Sequence, residues 1–393
     1  MVRPGKRVGY QDVIDRFFSA LASRDPKAPL LRPPEAGAFC RARQKIPLEV
    51  FHCLFERATE QVAQRCASAS EPARWHGLRV HAIDGTKMTL PSSDALADFF
   101  GVPVGAHFPQ ALVCTLYDVL ARCPTDLIWG PYQASERELA RHLYADLGCG
   151  DLLLFDRGFP SFALFSDLVT QGVEFLCRIP KTGLFSEVAT LIAQGRRDAV
   201  VRIAAPEDFV RQCQAAELPA PAPLVLRFIK TRHRKAKEPS FFLTTLLDRT
   251  LYSRKALSDL YHLRWEEEEF FKLAKQLLEA ERIRGTKPLL VHQEMIALHL
   301  YCILARLLMI EASQRHGIAP SQIAQQHAFY AVSRYLDHLL TARSIEDCVF
   351  QLDRCLQEIA WRPYRKRPDR TYPRRSKSSY GKWGRKGSAP GMR

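Results

Sequence analysis

The chain has 393 residues, 47% of them hydrophobic and 25% charged, a composition that predicts a folded protein large enough for two or three domains. The sequence shows no apolar signal core at its start, no unbroken apolar run of 18 residues and no C-x-x-C pair among its eleven cysteines, which argues against secretion, a membrane span and a zinc site. The formal net charge of +15 favours a polyanionic partner, and thiols expected to be reduced fit a cytoplasmic location.

Residues 1–75 are predicted to form a helical N-terminal domain, because apolar residues recur at helical spacing in 10–21 and again in 50–66. From the start to Lys45, ten basic residues stand against four acidic ones. Two roles stay open for this segment: contact with the polyanion, or a small helical cap on a larger core.

A strand centred on Asp84 is predicted over residues 78–91, where apolar residues flank the carboxylate. Burial of a carboxylate is costly unless a positive group meets it, and a metal ion would offset that cost. A turn at Asp84-Gly85 is the alternative, since Asp-Gly is a common hairpin signal. Apolar runs in 111–120 and 127–129 are predicted to complete a meander with this strand.

A second aspartate, Asp156, follows four apolar residues at 152–155 that predict a fully buried strand. Ligands of α/β proteins gather at the carboxyl ends of such strands, which makes Asp156 a candidate ligand-binding residue. Gly158 is expected to provide the turn into a helix over 161–171. The alternative is that Asp156 only caps that helix.

The pattern changes between residues 181 and 240, where short β-like runs at 200–204 and 224–230 are joined by Pro-rich and basic links. A basic turn at 232–237 either contacts the polyanion or forms a solvated hairpin tip. A core strand over 241–247 is predicted to lead into the next helix.

One uninterrupted helix is predicted from Ser253 to Arg282, since this stretch contains no Gly or Pro. At 100° per residue, four polar side chains share one face about 60° wide, and these are Tyr261, Arg264, Glu268 and Lys275. Of the four successive glutamates only Glu268 lies on this face, so Glu267→Ala is expected to have a mild effect. The alternative is a solvated run of charges.

After Pro288, an apolar core helix is predicted over 289–313, and its His292 and His299 are expected to be core or surface histidines rather than ligands. Residues 362–393 contain twelve Lys/Arg and one Asp, interleaved with Pro, Ser, Gly and aromatic residues. Too few apolar residues are present there for independent folding, and the mixture suits contact with a nucleic-acid backbone and stacking. A solvated tail without a partner is the alternative.

The face described above, with its spacing of Tyr, two residues, Arg, three residues, Glu, six residues and Lys, resembles the Y-R-E-K signature of bacterial insertion-sequence transposases of the DDE superfamily. The Asp-Gly-Thr at Asp84 and the Asp-x-Gly-Phe at Asp156 resemble the two aspartate motifs of that family. The resemblance implies an α/β, ribonuclease-H-like fold: a mixed sheet flanked by helices, with a β-rich insertion and a helical N-terminal domain. It also implies that Asp84, Asp156 and Glu268 are catalytic and bind two Mg²⁺ ions, for which Mn²⁺ can substitute.

Contacts with DNA are implied for the helical face and, through its charge, for the tail. The candidate DNA-binding residues are Tyr261, Arg264, Lys275, Arg365, Lys366, Arg367, Arg374 and Arg375. The resemblance also assigns the N-terminal segment to recognition of the element's terminal repeats.

The implied activity is that of a transposase, which binds the ends of its insertion element, cleaves them by Mg²⁺-dependent hydrolysis and joins the 3′-OH ends to target DNA. Double-stranded DNA, namely the terminal inverted repeats and the target, would be the partner, and a homodimer is expected on DNA in a nucleoid-associated location. The alternatives are a nuclease of the same core without strand transfer, and a non-catalytic basic DNA-binding protein. The implied domains are an N-terminal domain (1–75), a catalytic core in two parts (76–180 and 241–360), an insertion (181–240) and a basic tail (361–393).

Overall fold

The computed structural model describes residues 9–23, 32–67, 74–232, 238–276 and 283–364. An eight-stranded mixed sheet lies at the centre of these residues, and helices pack on both of its faces. The predicted α/β class, a mixed sheet flanked by helices, is therefore confirmed. The strands are β1 (Arg79–Thr89), β2 (Gln110–Asp118), β3 (Cys123–Pro131), β4 (Asp151–Phe155), β5 (Glu174–Ile179), β6 (Asp198–Ile203), β7 (Leu224–Thr231) and β8 (Ser240–Thr244).

The helices carry their apolar residues toward this sheet or toward one another. They are α1 (Tyr10–Ser23), α2 (Ala36–Arg43), α3 (Leu48–Ala67), α4 (Asp94–Phe100), α5 (Glu136–Tyr144), α6 (Phe162–Gln171), α7 (Ser186–Ala193), α8 (Glu207–Ala215), α9 (Arg254–His262), α10 (Trp265–Gln276), α11 (Pro288–His316), α12 (Gln325–Leu340) and α13 (Ile345–Ala360). The side of the sheet beneath α9, α10 and α11 forms one apolar core, and the side beneath α5 and α6 forms another.

The strand order across the sheet is β3-β2-β1-β4-β5-β8-β7-β6. The predicted meander is present, because β2 and β3 are antiparallel neighbours on one side of β1. On the other side of β1, β4 and β5 run parallel to it. β8 is antiparallel to β5 and β7 is antiparallel to β8, so β7 runs in the same direction as β1.

The register places the carboxyl ends of β1, β4, β5 and β7 along one edge of the sheet. Ala82 pairs with Leu154 and Leu154 with Leu176, and this row continues through β8 to Arg227 of β7. Two residues further along these strands, the next row on the same face holds Asp84, Asp156, Arg178, Phe242 and Ile229. The two aspartates and three positions on β5, β8 and β7 are therefore level with one another.

Residues 181–240, the segment predicted as an insertion, contribute α7, α8, β6 and β7, and the two strands extend the same sheet. Arg227 anchors this part to the loop that precedes α9. Its guanidinium is 1% exposed, binds both carboxylate oxygens of Asp198 at 2.9 and 2.7 Å, and donates to the carbonyl of Tyr252 at 2.7 Å. Because a buried arginine needs such partners, the network fixes where α9 begins.

The prediction of one uninterrupted helix from residue 253 to 282 is wrong, because the structure has two helices there, α9 and α10, with a break between them. The amides of Leu263 and Arg264 bond to carbonyls three residues back, at 2.9 and 3.1 Å, which tightens the chain into a turn. Neither Gly nor Pro marks this break. At this break Arg264 contacts Asp84 of β1, and helix propensity alone does not reveal such a contact. Residues 277–282 lie outside the described part of the chain.

The N-terminal helices pack against α11. Arg43 of α2 is buried, donates to Gln293 at 3.2 Å and to the carbonyl of Leu290 at 3.1 Å, and is therefore held by the core. α3 lies along α11 in an apolar cluster of its own.

Among the helices that the structure describes, α11 is the one whose length and composition would suffice to cross a membrane. Its most apolar window is 67% buried inside the protein. This helix runs through the core, where its apolar residues contact the sheet, α3 and α13.

Candidate active site

Asp84 lies in the middle of β1, so the predicted strand is confirmed and the alternative of a turn at Asp84-Gly85 is wrong. Gly85 allows α5 to approach the strand, because a Cβ atom at this position would lie 2.8 Å from Oε1 of Glu136. Asp84 projects toward α10 and α11, since Val80 and Ala82, at even spacing before it, belong to the core beneath those helices.

Asp156 directly follows β4 at its carboxyl end, as predicted. Its Oδ1 accepts a hydrogen bond from the amide of Gly158 at 2.7 Å, which fixes the turn after the strand. The cap of α6 is Ser161, whose Oγ accepts from the amide of Leu164 at 3.2 Å, so the helix-cap alternative for Asp156 is wrong.

Arg264, at the break between α9 and α10, joins the acidic residues. Its Nη1 lies 3.5 Å from Oδ2 of Asp84, and its Nη2 donates to Oε1 of Glu268. The guanidinium is 9% exposed, whereas the side chains of Asp84 and Glu268 are 27% and 37% exposed. Arg264 thus holds the two carboxylates on either side of one nearly buried positive charge.

The electrostatics at Asp84 favour a cation. Burial raises the pKa of Asp84 to about 6, the charge of Arg264 opposes this rise, and Asp156 adds to it. Among the residues that the structure describes, no three His, Cys, Asp or Glu side chains lie close enough together to hold a metal ion. Asp84, Asp156 and Glu268 are therefore not gathered into one metal site in this structure, although carboxylates are the ligands that hard divalent cations prefer.

Glu267 is the side chain that the helical projection misplaced. It is 0% exposed and lies against the backbone amide of Asp84, although neither carboxylate oxygen makes a hydrogen bond of standard geometry with the described residues. Burial raises the pKa of Glu267 well above its ordinary value, and the charge of Asp84 adds to that rise. A projection drawn for one straight helix cannot place this residue, because the break before α10 changes its direction.

The predicted face of α9 and α10 lies against the sheet. Tyr261 is 8% exposed and packs edge-on against Phe242 with ring centroids 4.7 Å apart. The Cζ atom of Arg264 lies 5.9 Å from the centroid of the Tyr261 ring. Lys275 donates to the carbonyl of Lys87 on β1 at 3.2 Å. Tyr261 is therefore part of the core, whereas Lys275 lies at the margin of the site.

Sequence reasoning does not single out Arg178, although it lies in the same row as Asp84 and Asp156. This exposed side chain follows Leu176 by two residues on β5, which puts it on the face of the sheet that carries the two aspartates. A signal was available, namely a charged residue inside an apolar strand, which is the signal that singled out Asp84.

The remaining predicted DNA-binding positions and the basic turn at 233–237 lie outside the described residues. These positions are Arg365, Lys366, Arg367, Arg374 and Arg375.

Comparisons with known proteins point in one direction. A family model described as "Transposase DDE domain" matches residues 75–304, more than half of the 393 residues. The chain is 26% identical over 311 residues to "Transposase InsG for insertion sequence element IS4" of Escherichia coli (strain K12), an alignment that covers 76% of this chain and 67% of that protein. It is also 26% identical over 141 residues to "Putative transposase InsZ" of the same organism, covering 35% of this chain and 46% of the relative.

Among solved structures, the cryo-EM structure of a piggyBac transposase synaptic complex with hairpin DNA is similar to this chain. The alignment covers 91% of this chain and 73% of that one, with a TM-score of 0.45 and 11% identity.

Proposed function

The chain belongs to the DDE transposase family, and from this premise we propose that it binds the ends of its insertion element, hydrolyses a phosphodiester bond there and joins the freed 3′-OH to target DNA. The family that the Y-R-E-K pattern suggested is the one found. DNA is accordingly its substrate, and the separate steps of cleavage and strand transfer are part of the proposal.

The observation that carries this proposal is the bridge made by Arg264. One cation, 9% exposed, lies between Asp84 of a central strand and Glu268 of a helix, and Asp156 directly follows the strand next to that of Asp84. Asp84 and Asp156 belong to neighbouring parts of the sheet, and Arg264 ties Glu268 to Asp84, which supports a shared role for the three carboxylates. Burial raises the pKa of Asp84 to about 6 and the charge of Arg264 opposes that rise, so a cation bound at this carboxylate would favour its charged form.

Enzymes of this family use divalent metal ions, and Asp84, Asp156 and Glu268 are the residues that would hold Mg²⁺ here, with Mn²⁺ able to substitute. Two such ions, when bound, activate the attacking oxygen and stabilise the leaving oxygen in an in-line displacement at phosphorus. For Glu268 to join the two aspartates, the Arg264 guanidinium has to leave its place between Asp84 and Glu268.

The chain's own cations then act on the phosphate. Arg264, once released from the carboxylates, offers a planar pair of N–H donors to two phosphate oxygens, and Lys275 supplies a point charge at the rim of the site. Tyr261 supports the Arg264 side chain from beneath at 5.9 Å and is too enclosed to stack on a base.

The partners in this proposal are the element's terminal inverted repeats and the target duplex. The segment 1–75 recognises the repeats, and the basic residues of 361–393 add contacts with the DNA backbone. Joining two ends calls for a homodimer on DNA, and the working location is the bacterial nucleoid.

The test uses DNA that flanks the gene, purified full-length protein and Mg²⁺. Asp84→Ala, Asp156→Ala and Glu268→Ala should each abolish cleavage while DNA binding stays within about threefold of wild type. Loss of binding in these variants would instead mean that the carboxylates serve the fold.

Two products separate the alternatives. A covalent joint between a 3′-OH end and a target plasmid identifies a transposase, whereas cleavage without any joint identifies a nuclease. A protein that binds DNA but cuts none, with or without Mg²⁺, would be a DNA-binding protein, and the proposal would fail.

A further inference from the structure

Arg264 has a hydrogen-bond donor that its two ion pairs do not use. A guanidinium group presents its N–H donors along two edges, and each edge can meet a pair of oxygen atoms. The end edge, formed by Nη1 and Nη2, contacts Asp84 at 3.5 Å and donates to Glu268. The Nε–H group belongs to the side edge, is buried, and has no hydrogen-bond partner among the described residues. A buried donor without a partner is costly, so the side edge is suited to any acceptor within its reach.

Glu267 offers acceptors that match this edge. Its side chain is 0% exposed, and neither carboxylate oxygen makes a hydrogen bond of standard geometry with the described residues. The amide of Glu267 donates to the carbonyl of Arg264, three residues back, at 3.2 Å, and a turn of this kind brings the two side chains onto the same side of the backbone. Burial raises the pKa of Glu267, and the charge of Arg264 opposes that rise, so the two groups already interact.

The proposed function creates a use for this unused pairing. It requires the guanidinium to leave its place between Asp84 and Glu268, yet Arg264 is only 9% exposed. A buried cation that lost both carboxylates and gained no other would be strongly destabilised. Pairing of the side edge with Glu267 keeps the charge compensated, and it leaves the end edge free for two phosphate oxygens.

On these grounds we propose that Glu267 is a positioning residue for Arg264. In the complex with DNA, the Nε–H and one Nη–H of Arg264 donate to the Glu267 carboxylate, while the end edge that held Glu268 contacts the phosphate to be cut. Glu267 itself contacts neither DNA nor the reacting atoms and acts through Arg264. The inference rests on the proposed function, since it names the residue that holds one of that function's cations in place.

The first measurement separates DNA binding from cleavage, using the full chain, Mg²⁺ and a duplex from DNA flanking the gene. Glu267→Leu removes both acceptor oxygens, whereas Glu267→Gln keeps one of them without the charge. Glu269→Leu is the matched control, because Glu269 is an exposed glutamate of the same helix and pairs with Lys272 at 3.2 Å.

Glu267→Leu should bind the duplex within about threefold of wild type but cleave it about 10- to 100-fold more slowly in a single turnover, the usual effect of misplacing a group that orients the substrate. Glu267→Gln should recover cleavage to within about fivefold of wild type, because a neutral acceptor is weaker than a charged one but still receives the Nε–H. Glu269→Leu should behave like wild type. A wild-type cleavage rate in Glu267→Leu, or an equal loss in Glu269→Leu, overturns the inference.

The second measurement detects the hydrogen bond itself, which a purely structural role of Glu267 would not produce. Protein labelled with ¹⁵N at arginine is followed by NMR, with Ca²⁺ in place of Mg²⁺ to keep the duplex uncut. The Nε–H resonance of Arg264 is identified by its loss in Arg264→Lys. Addition of the duplex should move this resonance downfield and slow its exchange with water in wild type and Glu269→Leu, and should change neither in Glu267→Leu.

The outcomes distinguish this inference from the proposed function. The same downfield shift in Glu267→Leu, or no shift in wild type, would overturn the positioning role while cleavage and strand transfer by wild type still stood. If wild type neither binds nor cuts the duplex, the proposed function fails and the inference fails with it.

Discussion

Glu267 and Glu268 show how differently two adjacent identical residues can be used. Glu268 is 37% exposed and pairs with Arg264, whereas Glu267 is fully buried beside the Asp84 backbone amide and makes no hydrogen bond of standard geometry with the described residues. Burial of a polar group without a partner is costly. The free-energy cost of burying Glu267 therefore arises next to Asp84, on α10, the helix that also carries Glu268.

Replacing Glu267 by a leucine of similar volume is therefore expected to stabilise the metal-free protein. The free energy of unfolding should rise by about 1–3 kcal/mol, the typical cost of an unsatisfied buried polar group. Urea denaturation of Glu267→Leu and wild type in EDTA measures the change. Glu266→Leu is the control, since Glu266 is partly exposed and pairs with Arg122 at 3.2 Å, so its loss should matter by less than about 1 kcal/mol. A less stable Glu267→Leu would show that the native carboxyl group has a partner.

At the scale of elements, α11 places a titratable side chain, that of His299, inside the core. The His299 ring lies 5.6 Å from the ring of Phe270, its Nδ1 lies 2.8 Å from the carbonyl of Met295, and its Nε2 has no partner among the described residues. Burial lowers the pKa of His299 to about 4. The unfolded chain, with a pKa near 6.5, then binds a proton at a pH where the folded chain does not.

Stability should consequently fall as the pH is lowered from about 6.5 toward 4, by up to about 1.4 kcal/mol per pH unit for this one group. His299→Phe should flatten that dependence, because the variant has nothing to protonate at this position. Thermal unfolding of both proteins between pH 7 and pH 5 measures the difference. His316→Phe, at the exposed end of the same helix, should behave like wild type. Parallel curves for wild type and His299→Phe would contradict the expectation.

The sequence pattern predicts the strands around Asp84 and Asp156 because each is an apolar run interrupted by a single carboxylate. The same pattern misses the break at Leu263 and Arg264, since nothing local in the sequence competes with a helix there. The Arg264 side chain at this break contacts Asp84, a residue far away in the sequence, at 3.5 Å, and local patterns do not reveal such a contact. The burial of Glu267 follows from the break and is therefore equally invisible to helical spacing.

At the scale of the whole molecule, positive charge is distributed over at least two regions. One is the surface where β7 meets α9, and the other is the tail, in which residues 362–393 carry twelve basic residues and one acidic residue. The basic residues of the first surface are Arg197, Lys230, Arg232, Arg254 and Lys255. Each region would release counterions from DNA in proportion to the phosphates that it neutralises.

Deletion of residues 365–393 should weaken DNA binding and make its salt dependence shallower, by about 0.9 in slope for each phosphate that the tail neutralises in the full chain. Cleavage of DNA that is already bound should persist, because Asp84, Asp156 and Glu268 lie outside the deleted part. Fluorescence anisotropy across a salt series, with single-turnover cleavage at saturating protein, measures the two effects separately. A slope identical to that of the full chain would mean that the tail does not touch DNA.

The pairing of β1, β4, β5, β8 and β7 in one continuous sheet has a consequence for evolution within this family. Interstrand spacing is set by the peptide group and not by any side chain. Point substitutions can therefore change the side chains that these strands carry, but they leave the distance from β1 to β7 across the sheet unchanged. A related protein in which this distance is different would have to gain or lose a whole strand. Such a change requires an insertion or deletion in the gene, a far rarer event than drift at single codons.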